Sequence, residues 1–186
     1  MQINEFREKY EKYLIEGEID ENNAARLIES TLGGKCYNTT PEVNIKCHTD
    51  IIWESPKGYT CSIDKKAQKK ISRGDSVLSK NSEWFEIQNV NGGNGSAVPM
   101  VNELKKFGFN ITETHDYIMQ ETDDRYLFLQ RCKLLELIKN NCDIAKPVHK
   151  NPKKTYIPYQ RQNRQDIIVL VPIEDLKKIK HFEILK

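Results

Sequence analysis

Apolar residues along this 186-residue chain recur at two periods, and the places where one period gives way to the other predict the elements. Near the start, Phe6, Tyr10, Tyr13 and Leu14 follow helical spacing, and the acidic residues Glu16, Glu18, Asp20 and Glu21 surround an expected break at Gly17. A second helical segment, Asn22 to Leu32, carries Ala24, Ala25, Leu27 and Ile28 and stops at Gly33-Gly34, where glycine readily takes the left-handed conformation that ends a helix. Lys35–Asn44 reads as loop. His48–Glu54 and Tyr59–Ile63 read as strands joined by the turn Ser55-Pro56-Lys57-Gly58.

In the centre, Asp75–Ser79 and Glu83–Val90 read as a hairpin turning at Lys80-Asn81-Ser82, and Asn91-Gly92-Gly93-Asn94-Gly95 interrupts the pattern. A helix is expected from about Ser96 to Phe107, with Pro99 tolerated in its first turn. Asp116–Gln120 reads as a short strand. Thr122 is the expected N-cap of a helix ending near Asn140, with Asp123 and Asp124 favourably placed in its first turn. Ile167–Val171 is a continuous apolar run, as a strand buried on both faces requires. Pro172 ends it, Glu174–Lys180 predicts a helix, and Phe182–Leu185 a last strand. Helices alternating with strands predict an α/β fold with a mixed central sheet.

Composition narrows the function. The length suits one domain, 1–186. Lys and Arg number 29 against 27 Asp and Glu, so the chain is neither a polycation nor an acidic tail. No stretch approaches the roughly 20 apolar residues that span a bilayer. The N-terminus lacks the apolar core of a signal peptide, and five irregularly spaced cysteines suit a reducing cytoplasm, so a cytoplasmic location without membrane attachment is expected. A zinc site at Cys36, Cys47, His48 and Cys61 lacks the spacing of a zinc knuckle. The basic and aromatic stretch from His149 to Arg164 contains Lys153, Lys154, Arg161 and Arg164, and Lys65, Lys69, Lys70 and Arg73 form a second basic segment. Both are candidates for contact with the phosphates of double-stranded DNA.

The first candidate for chemistry is Asp75 with Glu86 and Gln88. Residues two apart on a strand share a face, so Glu86 and Gln88 point the same way, and a hairpin can bring Asp75 beside them. Two such carboxylates can hold Mg2+, and the third side chain can orient a water. These acids, the Gly-Gly loop and the helix after them resemble the PD-(D/E)xK nuclease superfamily, and within it the cleavage domain of FokI-like type IIS restriction endonucleases. Lys69-Lys70-Ile71-Ser72-Arg73-Gly74-Asp75 and the tail Ile167–Leu176 add to the likeness. Two positions depart from the pattern: Gly74 stands in place of Pro, and Gln88 in place of Lys.

A second constellation keeps the lysine. Asp50 is followed by Asp64, and Lys66 completes Asp-x-Lys, although Lys65 sits where a buried strand favours an apolar side chain. The resemblance further implies a helix carboxylate near the metal, for which Glu29 is the candidate. It implies a restriction-endonuclease-like mixed sheet flanked by helices and a Mg2+-dependent DNA endonuclease that cuts one strand. With no recognition domain evident, it implies a heterodimer with a larger recognition and nicking subunit, as in two-subunit type IIS enzymes. The alternatives are a self-sufficient homodimeric type II enzyme and a non-catalytic nucleic-acid-binding module.

Overall fold

The computed structural model describes residues 2–67, 81–89, 91–150, 152 and 154–186, with side chains from residue 15 onward. The expected hairpin arm at Asp75–Ser79 lies outside the described residues. The chain opens with helix α1, Gln2–Leu32, followed by strand β1, Lys35–Asn38, and helix α2, Pro41–Cys47. Strands β2 (Ile51–Glu54) and β3 (Thr60–Lys66) form the expected hairpin, and β4 is Ser82–Gln88. Then come α3 (Val101–Lys106), β5 (Asp116–Glu121), β6 (Arg125–Gln130) and α4 (Arg131–Asn141). The last elements are β7 (Tyr159–Gln160), β8 (Ile167–Pro172), α5 (Ile173–Ile179) and β9 (Phe182–Leu185).

Six strands pair in the order β1-β2-β3-β5-β6-β9, with β3 and β5 parallel and the other neighbours antiparallel. The molecule is thus a mixed α/β fold whose sheet is flanked by helices. A smaller antiparallel sheet, β4-β8-β7, stands beside it. Strand alternation sorts the core of the large sheet into two sides. Ala24 and Ile28 of α1, one helical turn apart, pack on Ile51, Trp53, Cys61, Ile63, Tyr117, Met119, Phe128 and Ile184. On the other side Ile118, Leu127 and Leu129 pack with Leu134 and Ile138 of α4, Leu176 of α5, and Phe85, Ile87, Val169 and Val171 of the small sheet. Ile52 joins Val43, Cys47, Met100, Leu104 and Ile111 in a third cluster.

Four expectations need correction. The helix expected from about Ser96 begins only at Val101, so Pro99 precedes it rather than sitting in its first turn. Helix α1 does not break at Gly17 but runs through it. A lone glycine costs about 1 kcal/mol relative to alanine, too little to end a helix anchored by packing further on. Its end is at Gly33 and Gly34, both at positive φ, and a Cβ on Gly34 would stand 2.1 Å from the Glu54 carbonyl oxygen. Residues 35–47 form a short edge strand and a helix capped by Thr40 with Pro41 in its first turn, rather than a loop. Thr122 caps no helix: its backbone N–H and its hydroxyl both donate to the Arg125 carbonyl, closing a turn between β5 and β6, and the helix begins only at Arg131. No described helix is long and apolar enough to cross a membrane.

A Cβ at position 17 would meet nothing within 4 Å. Gly17→Ala is expected to stabilise the protein by about 0.5–1 kcal/mol in urea unfolding; destabilisation would show that the helix is not continuous there.

Candidate active site

The β2–β3 hairpin brings two aspartates together. Ile51 pairs with Ile63, and the Asp50 N–H donates to the Ile63 carbonyl at 2.9 Å, which sets Asp50 across from Asp64. Lys66, two residues on, shares the face of Asp64. Next along the sheet, Ser62 lies opposite Asp116 and Lys66 opposite Gln120. The hairpin exists because of the Ser55–Gly58 turn, in which Gly58 takes a φ of 82° and its N–H donates to the Ser55 carbonyl.

Both carboxylates are buried, Asp50 at 9% and Asp64 at 2% exposure. The Asn44 side chain donates to Asp50 Oδ1 at 2.7 Å and the Lys65 N–H to Oδ2 at 2.6 Å. Lys66 Nζ is 2.8 Å from Asp64 Oδ1. Asp64 Oδ2 is buried with no hydrogen-bond partner, and Arg131 Nη2 stands 3.8 Å away. Burial, then the charge of Asp64, pushes the Asp50 carboxyl up to about 7, against the pull of Lys66 and the Lys65 amide. Glu21 of α1 is also raised, first by burial and then by Glu18, with Asp64 contributing and Lys65 opposing. In both groups burial is the largest cause, and neighbouring carboxylates add to it.

Arg131 supports this cluster from behind. Its side chain is fully buried, and its guanidinium donates to the carbonyls of Ser96 and His48. Nε lies 3.0 Å from Asp116 Oδ1, close enough for an ion pair but too poorly aligned for a hydrogen bond. Asp116 itself accepts from the Ser62 hydroxyl at 2.7 Å and from the Met100 N–H at 2.7 Å.

Of the two constellations expected from the sequence, the structure brings Asp50, Asp64 and Lys66 together. Glu86 and Gln88 stand on β4 in the small sheet, where Gln88 donates to the Gln165 carbonyl at 2.7 Å; Asp75 lies outside the described residues. Glu29 accepts from the Cys36 N–H at 2.7 Å and so ties α1 to β1; the helix acid beside the pair is Glu21. The Lys65 side chain, 8% exposed, lies 3.0 Å from Asp20 and 3.8 Å from Glu121. Lys154 and Arg164 are exposed, Arg161 pairs with buried Asp166, and Lys69, Lys70, Arg73 and Lys153 lie outside the described residues. Glu21, Asn44, Asp116 and Arg131 did not stand out in the sequence. Asp116 alone left a signal, as an acid opening an apolar strand.

Among the described residues no three His, Cys, Asp or Glu side chains group closely enough to hold a metal ion. A cation at Asp50 and Asp64 would therefore draw further oxygens from water, backbone or substrate phosphate, which suits Mg2+ better than zinc. No family model matches this chain, and the comparisons with curated proteins and with solved structures gave no match.

Two expectations follow from this geometry. Arg131→Met removes the ion partner of buried Asp116, and should lower stability in urea unfolding by about 3–5 kcal/mol. Adding Asp116→Asn should recover part of that loss; no recovery would contradict the pairing. The second concerns pH. Asp50 ionises less readily folded than unfolded, where its value is near 3.8. The native state thus keeps a proton that the unfolded chain releases, and stability falls as pH rises from about 4 through about 7. Without divalent ions, melting temperature should drop over this window by several degrees more in the wild type than in Asp50→Asn. Parallel curves would contradict the assignment.

Proposed function

We propose that this chain is a Mg2+-dependent endonuclease that hydrolyses a phosphodiester bond of double-stranded DNA at Asp50, Asp64 and Lys66. The observation that carries the reading is the buried Asp64 Oδ2 without a hydrogen bond, beside an Asp50 whose carboxyl is raised by burial and by Asp64. A buried, unsatisfied carboxylate oxygen next to a second carboxylate is costly unless a cation offsets it. Asp50 and Asp64 would hold the Mg2+, which supplies Lewis-acid polarisation of the phosphate and a lowered pKa for a bound water.

The remaining roles belong to the chain. Asn44 and the Lys65 N–H hold both oxygens of Asp50, so the carboxylate is oriented before any ligand arrives. The Lys66 side chain is 37% exposed, while its ammonium stays beside Asp64. It can therefore reach a substrate phosphate and stabilise the charge that builds on it. Glu21 supplies further negative charge from α1. One such cluster cuts one strand, and a double-strand break needs a second cluster, here assigned to a larger partner subunit that also reads the sequence.

Nicking of supercoiled plasmid tests the proposal, with the chain alone and together with the products of neighbouring genes. Asp50→Asn, Asp64→Asn and Lys66→Ala should each slow Mg2+-dependent nicking by about 100-fold or more, and Glu86→Gln by less than about threefold. Undiminished nicking by Asp64→Asn, together with loss in Glu86→Gln, would move the chemistry to the small sheet. DNA binding without any scission would favour a non-catalytic module.

A further inference from the structure

A second surface adjoins the acid pair. Asn91–Gly95 form a tight loop braced by Asn89. Asn89 Oδ1 accepts the N–H groups of Asn91 and Gly93 at 2.9 and 3.0 Å, and Asn89 Nδ2 donates to the Asn94 carbonyl at 3.1 Å. Gly95 is required where the loop returns over β4, since a Cβ there would lie 2.3 Å from the Glu86 carbonyl oxygen. Residues Asn91, Gly92, Gly93 and Asn94 are all exposed.

Contacts join this loop to its neighbours on both sides. Toward the acid pair, the His48 ring nitrogen Nε2 is 3.2 Å from the Asn94 carbonyl oxygen, and His48 lies two residues before Asp50. Away from it, the loop meets the turn between β7 and β8. Gln88 donates to the Gln165 carbonyl at 2.7 Å, and a Cβ on Gly92 would touch Gln165 Oε1. That turn presents Arg161, paired with fully buried Asp166, and exposed Arg164. Val148 pairs in parallel with Tyr159, so the chain beyond it carries exposed Lys150 toward the same end of the small sheet as Arg161.

The charge along this stretch has one sign. From Ile144 to Gln165 the chain holds six Lys and Arg and no Asp or Glu, with Lys146 paired to Asp143 and Arg161 to Asp166 just outside it, and Asn91–Gly95 holds no acid. A run of cations and amide side chains leading away from buried carboxylates complements a polyanion that must place one phosphate at the acids and its neighbours further along. Bracing matters because a loop already ordered loses little entropy on binding.

We propose that the Asn91–Gly95 loop and the β7–β8 turn form one contact surface for duplex DNA, leading away from the acid pair, with Asn91 and Asn94 contacting the duplex between that pair and the cations. The inference rests on the nuclease reading for the identity of the polyanion.

Fluorescence anisotropy of a labelled DNA duplex, with Ca2+ replacing Mg2+ to prevent cutting and NaCl varied, tests it independently of catalysis. The wild type should bind with a salt-dependent affinity. Lys150→Ala/Arg164→Ala should weaken binding about tenfold or more and reduce the slope of log affinity against log salt by about 2. Asn91→Asp/Asn94→Asp should also weaken binding about tenfold, whereas Lys139→Glu, at the far end of α4, should change neither quantity. Thermal melting of each variant verifies that it is folded. Wild-type affinity and slope in both double variants would overturn the proposal. So would an equal loss in Lys139→Glu, or no salt-dependent binding by the wild type. Failure of the nuclease reading would register separately, as intact duplex binding without scission in Mg2+.

Discussion

Arg131 places a positive charge where no water reaches it, and four segments of the chain are arranged around that charge. Its guanidinium holds the carbonyl of His48 just before β2, the carbonyl of Ser96 after β4, and Asp116 at the head of β5, and it faces Asp64 on β3. A buried guanidinium is strongly unfavourable without partners, so each of these segments is committed to its position once the arginine is in place. Asp116 extends the constraint through Ser62 and the Met100 N–H, which fixes the start of α3. The large sheet and the loop leaving the small sheet therefore meet at one ion pair.

This arrangement also sets the electrostatics of the acid pair. Arg131 is shared with Asp116 and stands too far from Asp64 Oδ2 to bond it, while Lys65 is drawn away to Asp20 and Glu121. Of the two cations paired with Asp64, Lys66 is the closer, at 2.8 Å against 3.8 Å for Arg131. The Asp50 carboxyl is raised, first by burial and then by the charge of Asp64, and Asp64 Oδ2 is left without a hydrogen bond. The proposed uptake of a divalent cation would offset the cost of burying these two carboxylates together.

Much of the framework was legible in the residues, for local reasons. The Pro-Lys-Gly turn between two apolar runs specified the β2–β3 hairpin, and the apolar run at 167–171 specified a buried strand. Elements whose identity depends on distant partners were not legible. Residues 125–130 continue an apolar pattern compatible with a helix, and only pairing with β5 and β9 makes them a strand. The acid pair shows the same limit. In the sequence Glu86 stands out through its apolar neighbours, whereas Lys65 argues against Asp64 because a charge is out of place in a central strand. The objection dissolves in three dimensions, where Lys65 finds Asp20 on α1, 45 residues away in sequence. Arg131 left no mark at all, since a basic residue within an expected helix reads as surface.

The central claim is that Asp50 and Asp64, not Glu86, take up the divalent cation. Electron paramagnetic resonance of Mn2+, titrated into the protein without DNA, measures this directly, because bound Mn2+ loses the sharp signal of the free ion. The account predicts that the wild type and Glu86→Gln remove the free signal alike, and that Asp50→Asn and Asp64→Asn do not. Uptake by Asp64→Asn equal to the wild type, with loss in Glu86→Gln, would contradict it.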